Sequence, residues 1–315
     1  MTRSISALLL VLRLLVGVSG SAAHPDRLEV TGDWWRLVTP PTLERFHKAG
    51  IQTVDFTIFQ AMDGTWQLIS CLRKTACPGG GRLLYRWEGS SLTDSDWKPL
   101  GIFRLADPAL GQTEGKIQAP HCIEVDGRYY LFYNSNGAYC MVGDDGKTFR
   151  HHRTLQGDLR FFDMPRDVML FDNRTHDGLW YAYFTDIVPG KYPAQKNHTV
   201  GARTAKVLEG PWSKRKLDIG VVSEPPRGYP FAYAESPFVL YRTGWYYRLE
   251  QMNVLASRSP TEWTGPILCT LADEPLRTLA PEIIEHEGGF FVAGYRDWGN
   301  SGIWMSRLGW VPAGQ

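Results

Sequence analysis

The stretch Ala119-Pro-His-Cys-Ile-Glu-Val-Asp-Gly-Arg-Tyr-Tyr-Leu-Phe-Tyr133 decides the fold. A small residue and a proline open it. An apolar strand follows, Asp126-Gly127 turns the chain, and an aromatic strand returns. Glycine in the turn supplies the positive φ that a tight hairpin needs. Proline is tolerated at the strand start because its missing N–H lies outside the ladder. The plan recurs at Ser236-Pro-Phe-Val-Leu-Tyr-Arg-Thr-Gly-Trp-Tyr-Tyr247 and at Ala280-Pro-Glu-Ile-Ile-Glu-His-Glu-Gly-Gly-Phe-Phe-Val-Ala-Gly294. Two looser copies run from Asp55 to Leu68, with the turn Asp63-Gly64, and from Asp167 to Phe184, with the turn Asp177-Gly178.

A second element follows the copies. It reads Leu92-Thr-Asp-Ser-Asp-Trp97, Asp144-Asp-Gly-Lys-Thr-Phe149, Leu208-Glu-Gly-Pro-Trp212 and Ser259-Pro-Thr-Glu-Trp263. Each is a turn leading into an aromatic residue and then an outer strand. The last copy lacks it because the chain ends, so Leu28 to Val38 is expected to supply the missing strand. Five copies at a period of about fifty residues, each of about four strands, predict an all-β, five-bladed β-propeller. A β-sandwich would not repeat at this period. Helix is expected only over Thr42 to Ala49, with Pro41 ahead of it and Gly50 behind it.

The chain has 315 residues, a size that all-β folds reach as one domain. Residues 1–23 read as an export signal and 24–315 as a single propeller domain. Arg3 forms the positive n-region, Ser6 to Val18 the apolar run, and Ser21-Ala22-Ala23 the cleavage site. The expected location is therefore secreted or periplasmic. The run is too short for a membrane anchor and Arg13 interrupts it, and no later segment reads as transmembrane. The formal charge is +1, with no basic stripe or arm, which argues against nucleic acid.

Export permits disulfides. Of five cysteines, Cys71 could pair with Cys77 and Cys122 with Cys140, leaving Cys269 over. Spacing alone does not settle the pairing. Cys71-x5-Cys77 has no matching ligand pair for zinc. Asn173-Arg-Thr and Asn197-His-Thr are glycosylation sequons.

In a propeller the innermost strand of each blade lines the central channel. Asp55, Asp167 and Glu235 all stand at the head of such strands, in three different blades. Like charges converging on a funnel are costly unless they have a task. By register, Gln118 occupies in the second blade the place that Glu235 holds in the fourth. His121 and Glu282 follow their prolines in a matching way. Trp34, Trp35 and Trp298 are candidate sugar platforms, although packing is the ordinary role of such rings.

These residues resemble glycoside hydrolase family 43, the arabinanase and β-xylosidase family, and its clan relatives. The resemblance rests on Thr53-Val-Asp55-Phe, Arg166-Asp167-Val-Met-Leu and Ala234-Glu235-Ser-Pro237, and it spans the mature chain. It implies that Asp55 is the general base, Glu235 the general acid, and Asp167 the group that tunes and orients the acid. It also implies that Arg296 faces the substrate. Asp55-Phe56 stands where the family has Asp-Pro. Arg166-Asp167 is similar to the Arg-Asp-Pro motif of the fructan-cleaving, retaining family 32. No cofactor is required, with a structural calcium at the propeller axis as the one metal the resemblance admits. The metal-binding histidine of the fifth blade has no counterpart, since His286 falls near a turn.

The expected function is hydrolysis of a plant or algal polysaccharide or oligosaccharide of arabinofuranosyl or xylosyl type, by inversion. Expected substrate contacts are Gln118, His121, Arg166, Arg296 and Trp298. The alternatives are a non-catalytic carbohydrate-binding propeller, a retaining fructan-type hydrolase, a phosphorolytic enzyme, which would need a basic cluster for phosphate, and a protein-interaction propeller.

Overall fold

Two-residue turns build the hairpins. Asp126-Gly127, Thr243-Gly244 and Glu287-Gly288 all carry positive φ at both positions, at 51° and 74°, 47° and 86°, and 49° and 74°. This is the type I′ geometry whose twist matches paired strands. The computed structural model describes residues 24–187, 198–214, 217–219, 234–271 and 278–313. Residues 1–23, where the export signal is expected, and Asn197 lie outside the described residues.

The hairpins extend into five antiparallel sheets arranged as a five-bladed β-propeller. Blade 1 consists of Gln52–Gln60, Trp66–Arg73, Leu83–Gly89 and Lys98–Arg104. Blade 2 consists of Gln118–Val125, Arg128–Asn134 and Ala138–Gly143, with Arg150–His151 and Arg160–Phe162 both on its last long strand. Blade 3 consists of Arg166–Asp172, Trp180–Ile187, His198–Ala205 and Leu217–Asp218. Blade 4 consists of Phe238–Arg242, Trp245–Glu250, Asn253–Ser257 and Cys269–Thr270. Blade 5 consists of Thr278–His286, Gly289–Arg296 and Ile303–Val311, and the ring closes as expected. Arg27–Val30 and Trp35–Val38 from the N-terminal end both pair with Ile303–Val311.

The repeated aromatics clip the outer strands. Trp97, Trp212 and Trp263 are buried, and each Nε1–H donates to a carbonyl three or four residues upstream: Asp94, Leu208 and Pro260, at 3.0, 3.1 and 3.0 Å. One bond thus both satisfies a buried donor and sets the turn.

Three expectations fail. Thr42 to Ala49 forms no helix. Leu43 is buried in the core, Phe46 packs against it at φ 69°, and the Phe46 carbonyl accepts from Ala76 N–H. Eight residues hold too few helical bonds to resist such tertiary pull. All five cysteines are free. Cys122 and Cys140 lie on the first and third strands of blade 2, with Arg128–Asn134 between them. Two strand spacings of about 4.8 Å exceed the reach of a disulfide. Cys71 is buried mid-strand with its thiol toward the Ile117 carbonyl, while Cys77 lies in the following loop. Asn173 is fully buried and accepts from the Tyr246 hydroxyl, so the folded chain offers no acceptor there.

Each blade carries one non-glycine residue at positive φ in its innermost strand or, in blade 4, just ahead of it: Asp55 (37°), Ala119 (48°), Asp167 (60°), Ser236 (51°) and Ala280 (51°). The pairing register slips at the same places in blades 1, 2, 3 and 5. These are β-bulges, which re-aim side chains at strand ends. A left-handed residue other than glycine costs about 1–2 kcal/mol, so the set is held against strain by the surrounding ring.

Leu37 is fully buried in the closing strand. Leu37→Ala should lower the unfolding free energy by about 2–5 kcal/mol, read as a lower denaturant midpoint. An unchanged midpoint would show that the closing strand contributes little.

Candidate active site

The bulges decide which side chains meet. The channel beneath the funnel is lined by matching residues from all five blades: Asp55-Phe56, Ala119-Pro-His121, Asp167-Val-Met169, Ser236-Pro-Phe238 and Ala280-Pro-Glu282. Asp55 and Asp167 therefore occupy the bulge itself, where blades 2, 4 and 5 carry alanine or serine. Glu235 stands one residue earlier, level with Gln118 and Arg166. The expectation that the three carboxylates share one register is corrected to two in register and one offset. A bulge adds a residue without any mark in the sequence pattern.

Arg166 joins the offset group to the bulge group. Its Nε lies 3.4 Å from Asp167 Oδ2, and its Nη2 contacts Glu235 Oε1. Gln251, just past the second strand of blade 4, donates from Nε2 to Glu235 Oε2 at 2.7 Å. The buried Thr185 hydroxyl accepts from Ser236 N–H at 2.9 Å and also bonds the Asp167 carboxyl. Asp167 N–H donates to Asn134 Oδ1 at 3.4 Å. Two blades thereby hold Asp167, and Thr185 ties it to the turn that follows Glu235. The His198 ring lies 3.3 Å from Arg166 Nη2, and burial together with that charge lowers its pKa.

Desolvation lifts the Asp55 carboxyl from 3.8 to about 6, and the charge of Asp167 adds to the rise. Arg82, Arg166 and Arg73 oppose it. Asp167 also rises to about 6, chiefly by burial, with Arg166 pulling it down and Glu235 pushing it up. Such raised carboxyls are suited to proton exchange near neutral pH.

The other expected residues fall on different levels. Gln118 is half-buried at the mouth, where its Oε1 accepts from Arg82. Trp298 is exposed on the lip, its carbonyl accepting from Arg73 at 3.1 Å, and the adjacent Gly299 packs on Thr53. His121 lies lower and is buried. Its Nε2 is 3.3 Å from the Leu170 carbonyl and its Nδ1 3.9 Å from Glu282. Glu282 in turn accepts from Ile58 N–H at 3.1 Å, so this pair ties four blades together across the axis. Arg296 is enclosed between the rings of Trp34 and Trp304, at 4.3 and 4.9 Å, and bonds Thr278. It is spent inside blade 5, and so is Trp34. Trp35 meets Phe291 edge-on. His286 lies at the turn, against Trp66.

The axial level does not suit calcium. Of the three carboxylates that line the channel, Glu282 is already engaged by Ile58 and His121, and the lining also holds an imidazole, a thioether and two phenyl rings. Calcium takes six to eight oxygen ligands. Among the described residues no group of three or more acidic, histidine or cysteine side chains is placed to hold a metal. The channel that Asp55 and Asp167 line, about 40 Å³, is also too small for a sugar ring.

No family model matches the chain, and no curated protein matches it in sequence. Solved structures share its fold. A thermostable family-43 glycoside hydrolase has a TM-score of 0.61 at 14% identity, over 88% of this chain and 98% of that one. A family 117 glycoside hydrolase of the marine bacterium Zobellia galactanivorans has a TM-score of 0.59 at 13% identity, over 89% and 90%. An α-L-arabinofuranosidase from Lactobacillus brevis has a TM-score of 0.57 at 12% identity, over 84% and 92%. The shared feature is the five-bladed propeller.

The raised pKa of Asp167 fixes a stability prediction. Between about pH 4 and 6 the folded chain holds a proton that the unfolded chain releases, so its ionisation destabilises the fold as pH rises. Asp167→Asn should therefore melt higher than the parent at pH 7, and the difference should vanish below about pH 4. A lower melting temperature at pH 7 would mean that Arg166 more than offsets the burial.

Proposed function

We propose that the chain is an exported glycoside hydrolase that cleaves arabinofuranosyl or xylosyl bonds of a plant or algal glycan with inversion. One observation supports this reading: carboxylates from three blades are linked, Asp167 to Glu235 through Arg166 and Asp55 to Asp167 by charge, and two of them are lifted toward neutrality. Asp55, ionised above about pH 6, takes a proton from water as the water attacks the anomeric carbon. Glu235 gives its proton to the departing oxygen. An inverting pair leaves roughly 6.5–9.5 Å between base and acid to admit that water. Asp167 favours the protonated form of Glu235 and stabilises positive charge growing on the ring.

Arg166 works against this assignment in the free protein, because its contact with Glu235 favours the charged carboxylate. Sugar hydroxyls entering the funnel would have to draw Arg166 toward themselves for Glu235 to hold its proton. That same contact favours the second reading, a propeller that binds carbohydrate without cleaving it.

Mutants separate the two readings. Glu235→Gln should lower activity on substrates with poor leaving groups by about 10²–10⁴-fold. Activated aryl glycosides should suffer less, since their leaving groups need little protonation. Asp55→Asn should depress both substrate types. Equal losses on both types for Glu235→Gln would remove its role as acid. Binding without any turnover by the parent would favour the second reading.

A further inference from the structure

Three arginines surround the carboxylates, and only one is paired with them. Arg166 serves Asp167 and Glu235. Arg73 ends the second strand of blade 1, and Arg82 immediately precedes the third. Both act on Asp55 through their charge, and Arg82 acts on Asp167 as well. Among the described residues neither forms an ion pair. Arg73 donates from Nε to Gln52 Oε1 at 2.7 Å and from Nη2 to the Trp298 carbonyl at 3.1 Å. Arg82 donates from Nη1 to Gln118 Oε1 and lies against Cys71. Neutral partners thus hold both guanidinium groups within range of the Asp55 charge.

A guanidinium has five N–H donors, and these contacts use a minority of them. Neither residue has a donor that is buried without a partner, and both are half-buried. The unused N–H groups therefore reach solvent at the mouth. Counter-ions for Asp55 would be seated on its carboxylate, yet these are held off it and leave its pKa raised. A planar fork held open beside a reacting centre matches an oxyanion, which it can grip with two parallel bonds.

We propose that Arg73 and Arg82 form an oxyanion-binding pair at the funnel mouth, and that the glycan cleaved here carries a carboxylate or sulfate on, or next to, the sugar at the scissile bond. The inference rests on the glycoside hydrolase reading and names its substrate class. Free phosphate is the other source of such a group. Dependence of turnover on added phosphate separates that source from a charge carried by the sugar chain.

The test compares matched oligosaccharides on the full mature chain: glucuronic-acid-substituted and sulfated xylo- and arabino-oligosaccharides against their unsubstituted counterparts. The charged member of a pair should have the higher kcat/KM by about tenfold or more. That ratio should fall by about tenfold in Arg73→Met and in Arg82→Met, and Arg82→Lys should retain part of it. Calorimetric binding of the same compounds to Glu235→Gln gives the ratio without turnover. Neutral compounds cleaved as well as charged ones would overturn the oxyanion pair and leave the hydrolase reading standing. Charge-selective binding that both methionine variants abolish, with no cleavage of any compound, would keep the pair and overturn the hydrolase reading. Turnover that requires added inorganic phosphate would overturn the proposal in favour of phosphorolysis. The parent's own ratio decides the matter even if a variant fails to fold.

Discussion

Five strands that begin beside one axis have no room for five ordinary side chains. The ring relieves the crowding with a left-handed residue in or just ahead of each innermost strand, at a bulge in blades 1, 2, 3 and 5. Alanine or serine stands there in blades 2, 4 and 5, where steric demand alone operates. Aspartate stands there in blades 1 and 3. Short polar residues tolerate the left-handed region better than most. The position most constrained by packing can therefore carry a carboxylate, and it delivers that carboxylate to the channel with little conformational freedom. The placing of Asp55 and Asp167 follows from the same geometric necessity that closes the propeller.

Much of this was legible in the sequence. Small-Pro openings, Asp-Gly, Thr-Gly and Glu-Gly turns, and the recurring turn-to-aromatic element each have a local cause, so they could be read as strands and hairpins without coordinates. Ring closure by Leu28 to Val38 followed from counting strands. The offset of Glu235 was not legible, since a bulge shifts register without altering composition. Gln251 and Thr185 could have been found by pairing each inner strand with its hairpin partner. Arg73 and Arg82 bracket the irregular loop that holds Cys77, where no periodicity says which way a side chain points. Arg296 was expected against the substrate by resemblance, whereas two tryptophan rings claim its guanidinium.

The funnel is electrically balanced but not locally neutralised. Arg166 is shared between Asp167 and Glu235, so any movement of that one side chain alters the proton affinity of both. Asp55 is coupled to the same cluster through the charges of both Asp167 and Arg166. A ligand that engages Arg166 would thus change several protonation equilibria at once. Titration of the site belongs to the cluster more than to any member.

Ring closure also governs how the chain reaches its fold. Arg27 pairs with Val311 and Leu28 with Trp310, so the first strand made waits for the last. Joining ends that far apart costs on the order of 5 kcal/mol in loop entropy, and no local contact offsets it beforehand. During synthesis blades 1 to 4 can form their own hairpins in turn, while blade 5 stays an open edge with unpaired backbone groups. Folding is then bound to be slow relative to chains of local topology. The interval before closure is when that edge is free to pair with another chain.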